Sequence, residues 1–401
     1  MHVAPITCLR PLPEHVAEFA ALPYDVFTDA EARSYVQEHP TSFLAIDRPE
    51  TSFEEGHDPY APEVYARASE LLRERQLDRT LVRDEKPCFY IYELSTGSHR
   101  QIGLMGAIAV DDYVDNTIRR HELTLAAKEE DRVRHIEAVR AQTGPVFLAY
   151  PDSEAINVIL HAAMQGEPLY DFVTSDGVRQ RVWRIAREVA VGALSVAFTT
   201  IDRAYVADGH HRAAAAVRVC QKRREQGKEN DPAEEFLGVL FPASQLQILA
   251  YDRIVHDTAG LDKDELLGRI EQAGFAVAPV ADDAFRASEK GSFGMYAFGE
   301  WHMLTWTGGT DGLDVAVLQD NVLDPILGIQ DPRTDSRISF VGNGDKAELE
   351  QLAGTDGVAF ALFPTSIDDL MAISDAGGLM PPKSTWFEPK LLSGLAIRRI
   401  W

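Results

Sequence analysis

Cysteine is scarce: Cys8, Cys88 and Cys220 are the only three in 401 residues. An odd, widely spaced set fits neither a disulfide framework nor a paired zinc-ligand pattern, so they read as reduced thiols. Lysine is scarce too, with 9 against 30 arginines, a bias that fork-shaped anion contacts could explain but for which biased codon usage is the plainer cause. No apolar run approaches the roughly 20 residues of a membrane helix, so no membrane partner is expected. Residues Met1 to Arg10 carry no positive segment leading into an apolar stretch, so the cytoplasm is the default compartment. Positive charge is in short supply: 39 Lys+Arg against 63 Asp+Glu leave a formal charge of −24. That field repels polyanions, and nucleic acid is an unlikely partner without a local basic patch. Small anions are not excluded, because a few oriented donors decide such a site.

The common nucleotide and hydrolase signatures are missing as well. No strand is followed by Gly-x-Gly-x-x-Gly, and no Gly-x-Ser-x-Gly elbow occurs. Gly342-Asn343-Gly344-Asp345-Lys346-Ala347 is too short for a phosphate-binding P-loop and lacks its hydroxyl residue. His121-Glu122 does not continue to His-Glu-x-x-His, which excludes a zincin.

What is present is a soluble-protein composition, 45% hydrophobic and 25% charged, with helical and strand patterns interleaved throughout. Apolar periodicity predicts helices over Asp29–Glu38, Ala61–Gln76, Ala126–Thr143 and His210–Arg224. Strands are expected at Phe89–Leu94, Gln101–Val110, Pro145–Tyr150, Arg181–Ile185, Ala204–Ala207, Phe236–Phe241 and Gln247–Tyr251. A second set follows, with helices Asp262–Ala273, Leu313–Leu323, Lys346–Leu352 and Ile367–Asp375 among strands. The expected fold class is α+β (mixed α/β), with a larger domain over 1–250 and a smaller α+β domain over 251–401 that closes the site.

Three clusters carry chemistry. In the first, Tyr205-Val206-Ala207-Asp208-Gly209-His210-His211-Arg212 runs from strand through a tight turn into four alanines, a helix start. Free N–H groups there attract anions, Gly209 admits a ligand close to the backbone, and Arg212 can fork onto phosphate oxygens. Asp208 can hold Mg²⁺ or a ribose hydroxyl, and the histidines can donate to phosphate or move protons; equally, Asp208 can simply cap the helix. The second cluster is Arg119-Arg120-His121-Glu122. Glu122 can serve as general base for a hydroxyl nucleophile, with Arg120 and His121 on phosphate charge, and a solvated helix start is the plainer alternative. In the third, Pro381-Pro382-Lys383-Ser384-Thr385 can grip a small anion, or merely tie down the chain end.

With Leu22-Pro23-Tyr24-Asp25-Val26, Arg48-Pro49-Glu50, Gly144-Pro145-Val146-Phe147 and Pro381 to Leu395, these clusters resemble the bacterial and archaeal family called domain of unknown function 1015, in the ParB/sulfiredoxin-like superfamily. That superfamily includes kinases that phosphorylate free L-serine, similar through a His-Glu, an Asp-Gly-His-His-Arg and a late Pro-Lys segment. The resemblance implies a ParB-like nucleotide-binding core with insertions. Glu122, Asp208 and His211 would be catalytic, and Asp208 would hold Mg²⁺. Gly209, His210, His211, Arg212, Arg120 and His121 would surround the phosphates of ATP or ADP, with CTP possible, while Lys383, Ser384 and Thr385 would hold L-serine or a related metabolite. It also implies that the chain between Glu122 and Asp208 loops out for the two to meet. A ParB-like module that binds CTP or ATP without a phosphoacceptor is the alternative. Sulfiredoxin chemistry needs a cysteine between Asp208 and Arg212, and none is there.

Overall fold

The interleaved apolar runs of the first half become one mixed, nine-stranded sheet in a computed structural model, which describes residues 1–228, 231–280, 284–309 and 312–401. Neighbouring strands run Ile118–Arg119, Ala204–Asp208, Val146–Tyr150, Glu235–Pro242, His99–Ala109, Phe89–Thr96, Arg179–Ile185 and Tyr170–Val173, and Val3–Ala4 also pairs with His99–Ala109. Two of these pairings are parallel, Ile118–Arg119 with Ala204–Asp208 and Val146–Tyr150 with Glu235–Pro242. Central strands covered on both faces need continuous apolar runs, and Val146 to Tyr150 is buried at every position. The helices Ala126–Val139 and His210–Glu225 pack through Val133 and Ile136 against Ala215 and Val219. The second of these opens on four good helix formers, Ala213 to Ala216, and ends on Lys222, Arg223 and Arg224, which suit the negative end of the helix dipole.

The chain forms two units, Met1–Leu246 with Pro389–Trp401, and Gln247–Glu388. The expected division at 250/251 therefore differs at the chain end, which returns to the first unit. The reason is burial: Ile397 is fully buried with Leu9, Leu81 and Ala141, and Ile397–Arg399 lies between Cys8–Pro11 and Ala141–Gln142 in a four-stranded sheet. The three cysteines are free and buried.

The second unit is built on an antiparallel six-stranded sheet in the order Phe275–Pro279, Glu300–Trp306, Ser292–Ala297, Val358–Leu362, Tyr251–Val255 and Ile338–Gly342. Its helices Lys263–Gln272, Lys346–Ala353 and Ile367–Asp375 each start behind a side-chain cap, from Asp262, Asp345 and Ser366. The fold class is mixed α/β, as the sequence suggests.

Asp314 in this unit is buried, and it accepts two hydrogen bonds from the Gly291 N–H, at 2.9 and 3.1 Å. Burial pushes its carboxyl up from the ordinary 3.8 to about 6, outweighing the Gly291 N–H and Lys290. Between those values the folded chain binds more protons than the unfolded one, so this contribution is complete below pH ~4 and lost as pH rises through about 6. Asp314→Asn removes the cost of ionising the group: the second unit gains about 1–3 kcal/mol at pH 7 and nothing near pH 4. Urea midpoints measured against pH check this, and a gain of equal size at both pH values refutes it.

Candidate functional site

Parallel pairing brings two of the sequence clusters to one end of the sheet. Ile118 and Arg119 lie opposite Ala204 and Tyr205, so the next residues of the edge strand, His121 and Glu122, leave the sheet where Asp208 and Gly209 do. The carboxyl ends of parallel strands are where open α/β sheets hold ligands. The intervening chain does not loop out as an insertion: Val146–Tyr150 within it is the strand that flanks Ala204–Asp208 on the other side.

Gly209 makes the turn into the helix with φ +89° and ψ +31°. A Cβ at this position would sit 2.9 Å from Arg212 Nε, so only glycine fits both the backbone and the neighbour. Glycine at the N-cap offers no side-chain cap to the N–H groups of this helix start. The Gly209 N–H donates to Asp208 Oδ1 at 2.6 Å, Lys390 Nζ lies 3.5 Å from Asp208 Oδ2, and an Arg212 nitrogen lies 3.9 Å from Oδ1. Burial acts to raise the Asp208 carboxyl, but Lys390, Arg212 and the Gly209 N–H outweigh it and hold the group well below the usual carboxylate range. Arg212 is largely buried, donates to the Pro145 carbonyl and folds against Gly209, so its guanidinium braces the turn.

The His121 and His210 rings meet edge-on, with centroids 4.5 Å apart. Burial pushes His121 down to about 4 against the pull of Asp208 and of the Val206 carbonyl, which a His121 ring N–H engages. Burial, then His121, pushes His210 down as well, so both imidazoles are neutral at pH 7. Half-buried Glu122 stands beside them: one potential ligand atom from each of His121, Glu122 and His210 lies within 4.8 Å of the others. His211 accepts the Leu125 N–H on Nε2 at 3.0 Å, which holds the start of the helix Ala126–Val139. Arg120 is exposed, with its guanidinium 5.0 Å from the Tyr113 ring centre.

Lys383, Ser384 and Thr385 belong to the second unit. Lys383 takes φ +58° with its ammonium 5.6 Å from the centre of the Tyr251 ring. Buried Ser384 donates its hydroxyl to the Pro381 carbonyl at 2.6 Å, and its own carbonyl accepts from Thr365 at 3.0 Å.

Sequence reasoning missed Lys390. It lay inside the Pro381 to Leu395 segment, seven positions after the lysine that was singled out, and nothing local marked it as the partner of Asp208. The N-terminal motifs, which had no assigned role, prove to be anchors. Arg48 donates to the Tyr24 and Phe27 carbonyls at 3.1 Å each and pairs with Asp29 and Glu50. Arg132 stacks 4.1 Å over the Tyr24 ring, and both residues line a cavity of about 30 Å³ together with Asp47, His135 and Arg212.

Residues 3–322 match the family model described as Protein of unknown function (DUF1015). The chain belongs to this family. Curated proteins include no match to it. Among solved structures, DUF1015 residues here are similar to SbnI with a C-terminal truncation from Staphylococcus aureus, at 14% identity and TM-score 0.41 over 73% of this chain and 87% of that one. A glutamate-to-alanine mutant of a free serine kinase in complex with ADP matches at 14% identity and TM-score 0.38, over 71% of this chain and 87% of that one. A conserved hypothetical protein from Pyrococcus furiosus matches at 14% and 0.35, over 73% and 95%. Among the described residues no helix is long and apolar enough to cross a membrane.

Proposed function

We propose that this DUF1015 protein is a nucleotide-dependent phosphotransferase that acts on the hydroxyl of a small metabolite, with free L-serine the first acceptor to test. One observation supports this best: a carboxylate, Glu122, and an uncapped helix start behind Asp208-Gly209 leave the sheet at the same end. In phosphoryl transfer the protein chiefly positions groups and neutralises charge. The backbone N–H groups at His210, His211 and Arg212 bind phosphate oxygens, helped by the helix dipole. Glu122 takes the proton from the acceptor hydroxyl as the new O–P bond forms and the bridging P–O bond of the donor breaks, so that the terminal phosphoryl group passes to the acceptor and the nucleotide leaves one phosphate shorter. Neutral His121 and His210 put no cation beside Glu122, and Arg120 contributes positive charge from the exposed side. The acceptor-binding role of Lys383, Ser384 and Thr385 is part of the same proposal.

Asp208 suits Mg²⁺ in one respect: it is held ionised and offers oxygen, the donor this ion prefers, with waters and phosphates completing its shell. Bound with nucleotide, the ion would neutralise charge on the phosphoryl oxygens.

Incubation with ATP, ADP or CTP, Mg²⁺ and L-serine, read by mass spectrometry, should yield O-phosphoserine in a protein-dependent manner. Nucleotide binding with no transfer to serine or to other hydroxylated metabolites would sink the kinase reading and leave a nucleotide-binding regulatory module.

A further inference from the structure

We propose that His121, Glu122 and His210 form a three-ligand site for a divalent transition metal ion of the zinc class, separate from any Mg²⁺ that accompanies a nucleotide. The two imidazoles and one carboxylate converge within 4.8 Å, and they come from two different segments, the edge strand's exit and the first residue of the helix His210–Glu225. Bonds of about 2.0–2.2 Å to a common ion set ligand atoms about 3–4 Å apart, so side-chain rotation of about an ångström closes the site. Among the described residues this is the only cluster of three His, Cys, Asp or Glu side chains with such convergence.

Two further observations point to an ion. His210 is 7% exposed, and its Nε2 is buried without a hydrogen-bond partner. A ring nitrogen in that state is normally satisfied by water, by a protein group or by a metal. His121 engages the Val206 carbonyl through one ring N–H, which fixes the ring's orientation and tautomer. Metal-binding histidines are characteristically held in this way by an outer hydrogen bond to a carbonyl or carboxylate.

The donor set selects the class of ion. Imidazole suits Zn²⁺, Co²⁺, Ni²⁺ and Fe²⁺, whereas Mg²⁺ takes oxygen ligands almost exclusively. Three protein ligands leave a position open for water or a substrate oxygen, the pattern of a reactive rather than a purely structural site. Arg120 opposes an added cation and Asp208 favours it, since both act electrostatically on His210. The inference goes beyond phosphoryl transfer and stands without it. Where both hold, they interact: a Glu122 carboxylate bound to the ion cannot take a proton, so Zn²⁺ should inhibit transfer while leaving nucleotide binding in place.

The test uses the full chain, stripped with a chelator and titrated with Zn²⁺ by calorimetry and with Co²⁺ by visible absorption, with no nucleotide or serine present. One ion per chain and intense Co²⁺ bands of low coordination number are expected. His121→Ala and His210→Ala should each weaken binding by about 100-fold or more, with circular dichroism confirming that they fold. Should an alanine variant fail to fold, His210→Cys provides the decisive signal, because a thiolate ligand adds a sulfur-to-cobalt charge-transfer band. Absence of stoichiometric binding overturns the proposal, as does binding that both alanine variants leave unchanged, or a folded His210→Cys protein without that band. Since no step of this test involves phosphoryl transfer, a negative result leaves the kinase reading intact, and a failed kinase assay leaves the metal site intact.

Discussion

If the chain is the phosphotransferase proposed above, replacing Glu122 by Gln should lower transfer to the acceptor hydroxyl by about 10²–10⁴-fold, the range over which a positioned general base contributes. The substitution keeps the side chain's size and its place where the edge strand Ile118–Arg119 leaves the sheet, and it removes only the basicity. The groups assigned to phosphate lie on a different segment, the turn Asp208-Gly209 and the helix start after it, whose conformation is set by the Gly209 φ of +89° and by Arg212 braced on the Pro145 carbonyl. Nucleotide affinity should therefore be unchanged, so that the loss falls on turnover. The measurement is single-turnover formation of phosphoserine with excess Mg²⁺, in the presence of a chelator selective for transition metals, so that any change in zinc-class binding does not contribute. Equal turnover by the variant eliminates Glu122 as the base. Weaker nucleotide binding together with normal turnover at saturation would move Glu122 to the phosphate-binding set.

How much of this was legible in the sequence depends on how local each signal is. The helix Asp29–Glu38 has the bounds that the sequence pattern predicts, and the structure shows Thr28 and Glu31 closing its start with a capping box, a signal contained in four residues. The strand into Asp208 and the helix after Gly209 were equally clear, since an alanine run behind a glycine turn is local chemistry. The predicted helix Ala126–Thr143 instead stops at Val139, where Arg140 turns left-handed with φ +53° and Ala141-Gln142 joins a sheet. That end is imposed by the partner strand Ile397–Arg399 from the far end of the chain, which no local pattern can reveal. The predicted strand Gln247–Tyr251 similarly breaks at Ala250 into Gln247–Leu249 and Tyr251–Val255, each with a different partner. The helix Glu188–Phe198 escaped notice because its valines and alanines are apolar nearly all round and give no amphipathic period.

The site divides along the same line. Residue types mark Asp208 and Glu122 as candidates, but their leaving the sheet at the same end depends on a parallel strand pair two residues long on one side. Lys390 and Asp208 are 182 positions apart, and their proximity follows from burial of the chain end in the first unit. Arg212 is expected on phosphate from the sequence; what the structure shows is its bond to the Pro145 carbonyl and its packing against the glycine turn.

In the second unit, Asp252→Ala should cost about 3–5 kcal/mol, the range for removing one partner of a buried ion pair. Asp252 is fully buried in the strand Tyr251–Val255, and both its oxygens are used twice. Oδ1 accepts from Arg286 at 2.8 Å and from the Leu362 N–H at 3.0 Å; Oδ2 accepts from Arg286 at 2.7 Å and from the Gly344 N–H at 3.0 Å. One backbone donor is the last residue of Val358–Leu362 and the other lies two residues beyond Ile338–Gly342, the strands on either side, so a single carboxylate ties three neighbouring strands together. Its removal leaves two buried N–H groups unsatisfied and strips Arg286 of its only carboxylate among the described ion pairs, although the guanidinium keeps the Leu362 and Gly344 carbonyls. Asp252→Asn retains one acceptor oxygen but turns a donor toward either Arg286 or a backbone N–H, and should recover less than half of the loss. Urea unfolding, followed by the fluorescence of Trp301 and Trp306 in this unit's sheet, gives both values. A cost below about 1 kcal/mol for Asp252→Ala would mean that water or strand relaxation replaces the carboxylate, and that the pair is not what holds the three strands in register.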